Sequence, residues 1–225
     1  MSDQTAVVMQ FGAPDDREEI ARAEIYGLLA ALFIAPPSAE LYDQLRVAVT
    51  EAPSAGAFLE ASWSEVVAAS RRLSLAETVD EHTALFGGVG KPEIFLYGSW
   101  HMAGTLNEKP LVALRSDLAA IGLERPAGVL ETEDHIASLS ETMRYLIAGD
   151  DLGVSNLAAQ QRFFDAHLRP WVERMCELLA AHPRADFYRA VAAFARDFFA
   201  VEAQGFDLLD AQAGGLRETD TALRG

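Results

Sequence analysis

Residues 92–139, PEIFLYGSWHMAGTLNEKPLVALRSDLAAIGLERPAGVLETEDHIASL, contain two readable helices joined by a connection that carries glycine and proline. Apolar residues at helical spacing predict the first helix over 109–121, and Gly122 supplies the left-handed residue that ends it. The second helix is predicted to begin near Thr132, whose hydroxyl can cap the first turn. Its predicted buried face carries Ile136, Leu139, Met143, Leu146 and Ile147. This stretch therefore predicts a helical fold with a joint at about 122–132.

An acidic cluster stands at the entrance of that second helix, and it consists of Glu131, Glu133, Asp134 and His135. One interpretation is helix capping, in which the carboxylates face the positive end of the helix dipole and His135 is partly buried and hydrogen-bonded. The other is a recognition site, in which the carboxylates receive a cationic partner such as an arginine-bearing peptide. The residues alone leave both interpretations open.

The remainder of the chain also predicts helices. Ser74 and Glu77 form a capping-box pattern that opens one of them. An apolar stripe from Leu157 to Leu179 fits only the helical period, and Pro170 within it predicts a kink. Since no stretch alternates apolar and polar residues at hairpin spacing, and no repeat of fixed period occurs, the fold class is predicted to be all-α, a single-domain helical bundle.

The predicted organisation has three parts. Residues 1–14 are expected to form a flexible N-terminus, and 15–205 the helical domain, with its hinge at about 122–132. Residues 206–225, which contain two adjacent glycines and mixed charges, are expected to form a loosely ordered tail.

Composition limits the function of the chain. The 225 residues are 50% apolar, which is enough for one substantial core. Eighteen Lys and Arg against 34 Asp and Glu give a net charge of -16, which repels nucleic acids and anionic membranes and attracts basic peptides. A single cysteine, no recognisable secretion signal and no run of about 18 apolar residues predict a soluble cytoplasmic protein.

Patterns typical of catalysis or of metal binding are missing from the sequence. No G-x-S-x-G or H-E-x-x-H pattern occurs, and Cys176 lies in an apolar stripe where a thiolate is costly. The glycine-rich segment 87–91 lacks the Ser or Thr of a phosphate loop because Pro92 takes its place. Only one acidic cluster exists, whereas a carboxylate-diiron bundle needs paired ligands on facing helices. We therefore expect neither an enzyme nor a bound cofactor or metal.

The segment 131–135, ETEDH, resembles the E-P-x-D-H motif of the TorD/DmsD/NarJ-like chaperones, with Thr132 in the place of the usual proline. The segments 97–100, YGSW, and 111–122 are similar to that family's other patches and stand in the same order. The resemblance implies an all-helical single domain. It also implies a system-specific cytoplasmic chaperone that binds the twin-arginine leader of a molybdopterin-dependent oxidoreductase and assists its cofactor insertion and assembly.

Together, the resemblance and the aromatic residues predict a peptide-binding groove beside the acidic cluster. The candidate peptide-binding residues are Glu131, Asp134, His135, Tyr97, Ser99, Trp100, Phe86 and Arg115. The aromatic rings would line an apolar groove, and Glu131 with Asp134 would take an arginine at its rim. The alternative for the aromatic residues is a place in the core.

The expected partner is the precursor of a molybdopterin oxidoreductase, and the segment 97–122 favours a client of the formate-dehydrogenase type. One alternative is an assembly factor that grips the mature enzyme subunit rather than its leader. Others are a small helical metal-binding protein and a switch that responds to guanine nucleotides. The chain is expected to be a monomer or a dimer that exchanges its last helices through the joint at 123–128.

Overall fold

The computed structural model describes residues 16–50, 58–87, 91–125, 128, 130–151 and 153–223, and their side chains between 18 and 211. This part of the chain forms ten helices and no strand, which confirms the all-α prediction. The helices are α1 (Asp16–Ile34), α2 (Ala39–Val47), α3 (Glu60–Arg72), α4 (Leu75–Phe86), α5 (Gly98–Ala103), α6 (Lys109–Ala120), α7 (Ile136–Ala148), α8 (Leu157–His167), α9 (Val172–Ala180) and α10 (Phe187–Leu223). The predicted segment 1–14 lies outside the described residues.

Two helix pairings organise the core. α1 packs along α7, and α10 packs against α3 and α9. A buried ion pair joins the two groups, because the Arg22 guanidinium on α1 donates to both carboxylate oxygens of Glu202 on α10, at 2.7 and 2.8 Å. The Tyr26 hydroxyl donates to the same carboxylate at 3.0 Å. Since Glu202 is buried, these donors supply what it would otherwise take from water, and they fix the start of α1 to α10.

The start of α10 is capped by a side chain from another helix. Glu81 on α4 accepts hydrogen bonds from the backbone N–H groups of Asp186, Phe187 and Tyr188, at 2.8, 3.0 and 2.8 Å. The first N–H groups of a helix have no partner within the helix, and a carboxylate also complements the positive end of the helix dipole. Glu81 therefore couples the capping of α10 to the packing of α4.

Several local predictions are confirmed. The Ser74 hydroxyl accepts from the Glu77 N–H, and the Glu77 carboxylate accepts from the Ser74 N–H, as a capping box requires. Gly122 follows the end of α6 with φ of 74°, in the left-handed region. The predicted buried face of α7 is buried at all five positions. Each of these features depends on residues that lie close together in the sequence, so local patterns were enough to predict it.

The kink predicted at Pro170 is wrong, because the helix breaks there. α8 ends at His167 and α9 begins at Val172. Proline has no N–H to donate and its ring clashes with the preceding turn, so the helix cannot continue through it without a cost. The Trp171 indole N–H donates to the His167 carbonyl at 2.6 Å, which gives this carbonyl a partner in the interrupted turn.

The predicted boundary at residue 205 falls inside a helix. α10 runs through Gly205 to Leu223, and Phe206 is buried with its ring 5.3 Å from that of Phe164. The packed part of the chain therefore extends at least into the segment predicted to be a loose tail. None of the helices in the described ranges combines the length and the apolarity that a membrane crossing needs.

The E81A variant tests the cap of α10. It leaves three backbone N–H groups without their acceptor, and we expect the free energy of unfolding to fall by about 1–2 kcal/mol. Urea titration followed by circular dichroism would measure the loss. The matched control is E177A, because Glu177 sits in an exposed pair with Arg174 on α9 and should change stability by no more than about 0.5 kcal/mol. Equal stability of the two variants would contradict the assignment.

Candidate functional site

A short antiparallel contact joins the segment before α5 to the segment before α7. The Gly98 N–H donates to the Asp134 carbonyl at 2.9 Å, and the Ile136 N–H donates to the Leu96 carbonyl at 2.8 Å. Tyr97 and His135 form the bridge between these two bonds. Glycine suits position 98, because a Cβ atom there would lie 3.0 Å from the Trp171 indole nitrogen, closer than most Cβ contacts. The contact therefore fixes the YGSW segment against the start of α7.

Asp134 is the buried centre of this contact. It is 3% exposed, and one carboxylate oxygen accepts from the Ser99 N–H at 2.8 Å while the other accepts from the Thr132 hydroxyl at 2.6 Å. Both oxygens are thus engaged inside the protein. We predicted Asp134 as a rim carboxylate that takes an arginine, and its burial opposes that role. Ser99 is fully buried as well, and it contributes its backbone N–H to the contact.

His135, and not Thr132, caps α7. The helix begins at Ile136, and His135 Nδ1 accepts from the Ala137 N–H at 3.2 Å. The predicted start near Thr132 is wrong, because the Thr132 hydroxyl is used by Asp134. His135 is buried against the ring of Tyr97, whose centroid lies 4.9 Å away, and this burial lowers the pKa of His135 to about 4. The imidazole is therefore neutral at physiological pH, and for His135 the capping interpretation is confirmed.

Glu131 differs from Asp134 in its surroundings. It is half-buried, and within the described ranges its carboxylate has no hydrogen bond or ion pair. The pKa of the neighbouring Tyr97 hydroxyl is raised, mainly by burial and to a smaller extent by the negative charge of Glu131. An unneutralised carboxylate beside an aromatic ring at the surface is the kind of group that a cation can approach. Of the two carboxylates predicted at the rim, Glu131 is the accessible one.

The aromatic candidates lie in two different places. Trp100 is half-buried, stacks on Phe95 at 3.9 Å, and has the Lys91 ammonium 4.9 Å from its ring centroid. Phe86 instead joins a separate cluster, and its ring neighbours in the described part of the chain are Phe33, His82 and Tyr188. We predicted Phe86 in a groove with Trp100. The ring of Phe86 instead packs against side chains of α1, α4 and α10.

Arg115 contacts the acidic segment, but through Glu133. Its Nε and Nη2 atoms donate to the two carboxylate oxygens of Glu133 at 3.1 and 2.9 Å. Glu133 was part of the acidic cluster without being a predicted peptide contact. The side chain of Glu133 is 13% exposed, and that of Arg115 is 48% exposed. This fork ties α6 to the segment that precedes α7.

The sequence did not predict the cleft that lies beside this fork. It has a volume of ≈ 440 Å³ and lies between α1 and α7, and the end of α6 with residues 123–125 also lines it. Its apolar walls are formed by Ala30, Ala31, Ile34, Leu118, Leu123 and Ala137. The polar and charged groups along it belong to Glu124, Arg125, Glu133, Ser138, Glu141, Thr142 and Tyr145. The one signal in the sequence is the presence of small residues on both walls, at 30–31 and 137–138, which leave the space unfilled.

The described ranges offer little support for a nucleophilic cysteine or a metal site. Burial raises the pKa of the Cys176 thiol to about 12, so the thiolate is not populated. Within these ranges no three His, Cys, Asp or Glu side chains come together as metal ligands. The arrangement beside α7 is instead an apolar cleft with carboxylates along it, which suits a peptide.

Comparison with models of protein families gives a match over the middle of the chain. A family model described as nitrate reductase delta subunit matches residues 50–177, more than half of the chain. No curated protein sequence matches the chain. The chain therefore belongs to the nitrate reductase delta subunit family, which comprises NarJ/TorD-like chaperones of molybdoenzyme maturation, not catalysts. This confirms the resemblance, and the match includes the 131–135 segment and α7 but not α1.

The D134A variant tests whether Asp134 is structural. It leaves the Ser99 N–H and the Thr132 hydroxyl without their acceptor, and we expect a loss of about 2–4 kcal/mol in the free energy of unfolding. E131A is the matched control, and it should stay within about 0.5 kcal/mol of the wild type. Chemical denaturation of both variants measures the difference. A D134A variant as stable as E131A would refute the buried role.

Acid should destabilise the protein through its buried histidines. Burial lowers the pKa values of His135 and His82 to about 4 in the folded state, below the usual value of 6.5. The unfolded chain therefore binds more protons between these values. Stability is complete above about pH 6.5 and falls as the pH decreases toward 4, by up to roughly 1.4 kcal/mol per pH unit for each histidine.

H135N separates this effect from the loss of the cap, because asparagine also caps helices but does not titrate in this range. We expect the unfolding free energy of H135N to depend less steeply on pH between 6.5 and 4 than that of the wild type. Denaturation curves across this range provide the measurement. Parallel pH profiles for the two proteins would show that His135 does not carry the effect.

Proposed function

We propose that this member of the family is a cytoplasmic chaperone that binds the twin-arginine leader of a molybdopterin-dependent oxidoreductase and holds it until cofactor insertion is complete. The observation that carries the proposal is the open apolar cleft between α1 and α7, with carboxylates along its length. A leader combines an apolar stretch with two arginines, and the cleft offers a complement to each part. The chain performs no catalytic turnover in this role.

The apolar part of the leader would gain affinity by leaving water. Burial of apolar surface contributes about 25 cal/mol per Å², and the walls include the apolar side chains of Ile34, Leu118 and Leu123. Ile34 and Tyr145 are 44% and 39% exposed at the edges of the cleft. A bound peptide would cover these side chains, which now meet water.

The charged part of the leader would be attracted over a longer distance. The net charge of -16 steers a cationic segment toward the protein and raises the association rate, more strongly at low ionic strength. Glu131 lies two residues before Glu133, which lines the cleft, and it would take an arginine, while the neighbouring Tyr97 offers aromatic surface. Asp134 and His135 contribute indirectly, because they fix the segment that carries Glu131.

A second candidate is an assembly factor that grips the mature enzyme subunit. The family description, nitrate reductase delta subunit, favours it, because that description names an enzyme and not a leader. A second groove of ≈ 390 Å³ at the other end of α1, lined by Ile25, Leu157 and Phe206 among others, offers a surface of its own. Binding of a leader peptide compared with binding of the leaderless enzyme distinguishes the two functions. A client of the formate-dehydrogenase type remains part of the proposal, to be tested by mass spectrometry of captured precursors.

The A31R variant tests the cleft. Ala31 is exposed on one wall, so arginine there fills part of the space and repels the cationic leader. We expect the affinity for a synthetic twin-arginine leader peptide to fall about tenfold or more in calorimetry, since every 1.4 kcal/mol is a factor of ten. A68R is the matched control, because Ala68 is exposed on α3 and lines neither groove. Equal affinities of A31R and A68R would refute the site.

A further inference from the structure

Glu133 is the most strongly engaged carboxylate of the cleft. Its two oxygens accept from the Arg115 fork at 3.1 and 2.9 Å, and its side chain is 13% exposed. Burial alone would raise the pKa of Glu133. The hydrogen bonds from Arg115 and from the Glu133 backbone, together with the charges of Arg115 and Arg125, outweigh it, and the pKa is lowered. Glu133 is therefore ionised and held in one orientation at the wall of an apolar cleft.

A second guanidinium approaches the same carboxylate from inside the cleft. The Arg125 Nε lies 3.9 Å from a Glu133 oxygen, which is within ion-pair distance but too long for a hydrogen bond. Its only hydrogen bond within the described ranges runs from Nη1 to the Glu131 carbonyl, at 3.3 Å. The side chain is 38% exposed. Arg125 is thus held loosely, whereas Arg115 is held by two good hydrogen bonds.

Glu133 has room for another donor. An ionised carboxylate offers about four lone-pair positions, and the Arg115 fork uses one on each oxygen. A guanidinium that replaced Arg125 could donate to the remaining positions from the side of the cleft. The exchange would cost Arg125 one long hydrogen bond and one distant ion pair, and water can solvate its released side chain.

We propose that Glu133 receives an arginine of the leader in the place that Arg125 now occupies. The inference rests on the proposed function and adds an arginine contact within the cleft to the one proposed at Glu131. Arg115 acts as the positioning residue, because it orients the Glu133 carboxylate and keeps it ionised. Arg125 acts as an internal competitor that neutralises the carboxylate while the cleft is empty.

The arrangement also accounts for a preference for arginine over lysine. The guanidinium is planar with fixed donors and is weakly hydrated, so it can lie along an apolar wall and still donate to a carboxylate. An ammonium holds its water more strongly and presents a single centre of charge. The apolar part of the leader would continue from Glu133 along Ala137 and Ala30.

The test uses the full chain and calorimetry with two synthetic peptides, a twin-arginine leader and the same leader with both arginines replaced by glutamine. E133Q should weaken binding of the arginine peptide about tenfold or more and leave the glutamine peptide nearly unaffected. R125A should strengthen binding of the arginine peptide about threefold or more, because it removes the competitor. R174A is the matched control, since it removes the same charge from an exposed pair on α9 and should give the wild-type affinity.

The outcomes separate this inference from the proposed function. If the wild type binds the two peptides equally or binds neither, both are overturned. If it prefers the arginine peptide while E133Q and R125A both behave like R174A, leader binding stands and the exchange at Glu133 is overturned. Should E133Q fail to fold, R125A decides alone, because unchanged or weaker affinity contradicts an internal competitor.

Discussion

The buried carboxylate of Asp134 is the constraint on which the candidate site depends. A charge at 3% exposure is costly unless donors replace water, and here the donors come from Ser99, 35 residues earlier, and from Thr132. Satisfying Asp134 therefore brings the start of α5 to the start of α7. That in turn sets where His135 caps α7, and α7 forms one wall of the cleft. A buried charge that must be paired thus specifies one arrangement of two segments that are distant in the sequence.

The other wall is fixed from the opposite side of the molecule. α1 is held to α10 through Glu202 and Arg22, and α10 is in turn capped from α4 by Glu81. Both walls therefore belong to the packed core. The described residues 121–125 and 130–133, between α6 and Asp134, are held differently, because their polar contacts include the fork at Glu133 and the long bond from Arg125 to Glu131. A cleft whose walls belong to the core, and whose described lining includes the weakly held Arg125, is suited to exchange that cation without repacking the core.

The sequence predicted those features whose causes lie close together along the chain. The capping box at Ser74, the left-handed Gly122 and the buried face of α7 each follow from a few neighbouring residues. It could not predict the burial of Asp134, because the N–H that pays for it belongs to Ser99 on another helix. The cleft was missed for the same reason, since neither α1 nor α7 alone shows that small residues on both leave a gap. The family motif located the right segment without indicating which of its acids face inward.

The ionisable residues of the segment ETEDH differ in their surroundings according to their position in it. Asp134 and His135 face inward, where one carboxylate is satisfied by hydrogen bonds and the imidazole is neutral. Glu131 is partly exposed at the surface, and its charge remains available. Glu133 lines the cleft, and its charge is paired with Arg115. With a net charge of -16, the whole surface attracts cations. Charge alone therefore raises the association rate but adds little selectivity among cationic partners. Selectivity for an arginine beside an apolar stretch requires a carboxylate that is oriented and adjoins apolar surface, and in the described part of this segment Glu133 meets both conditions.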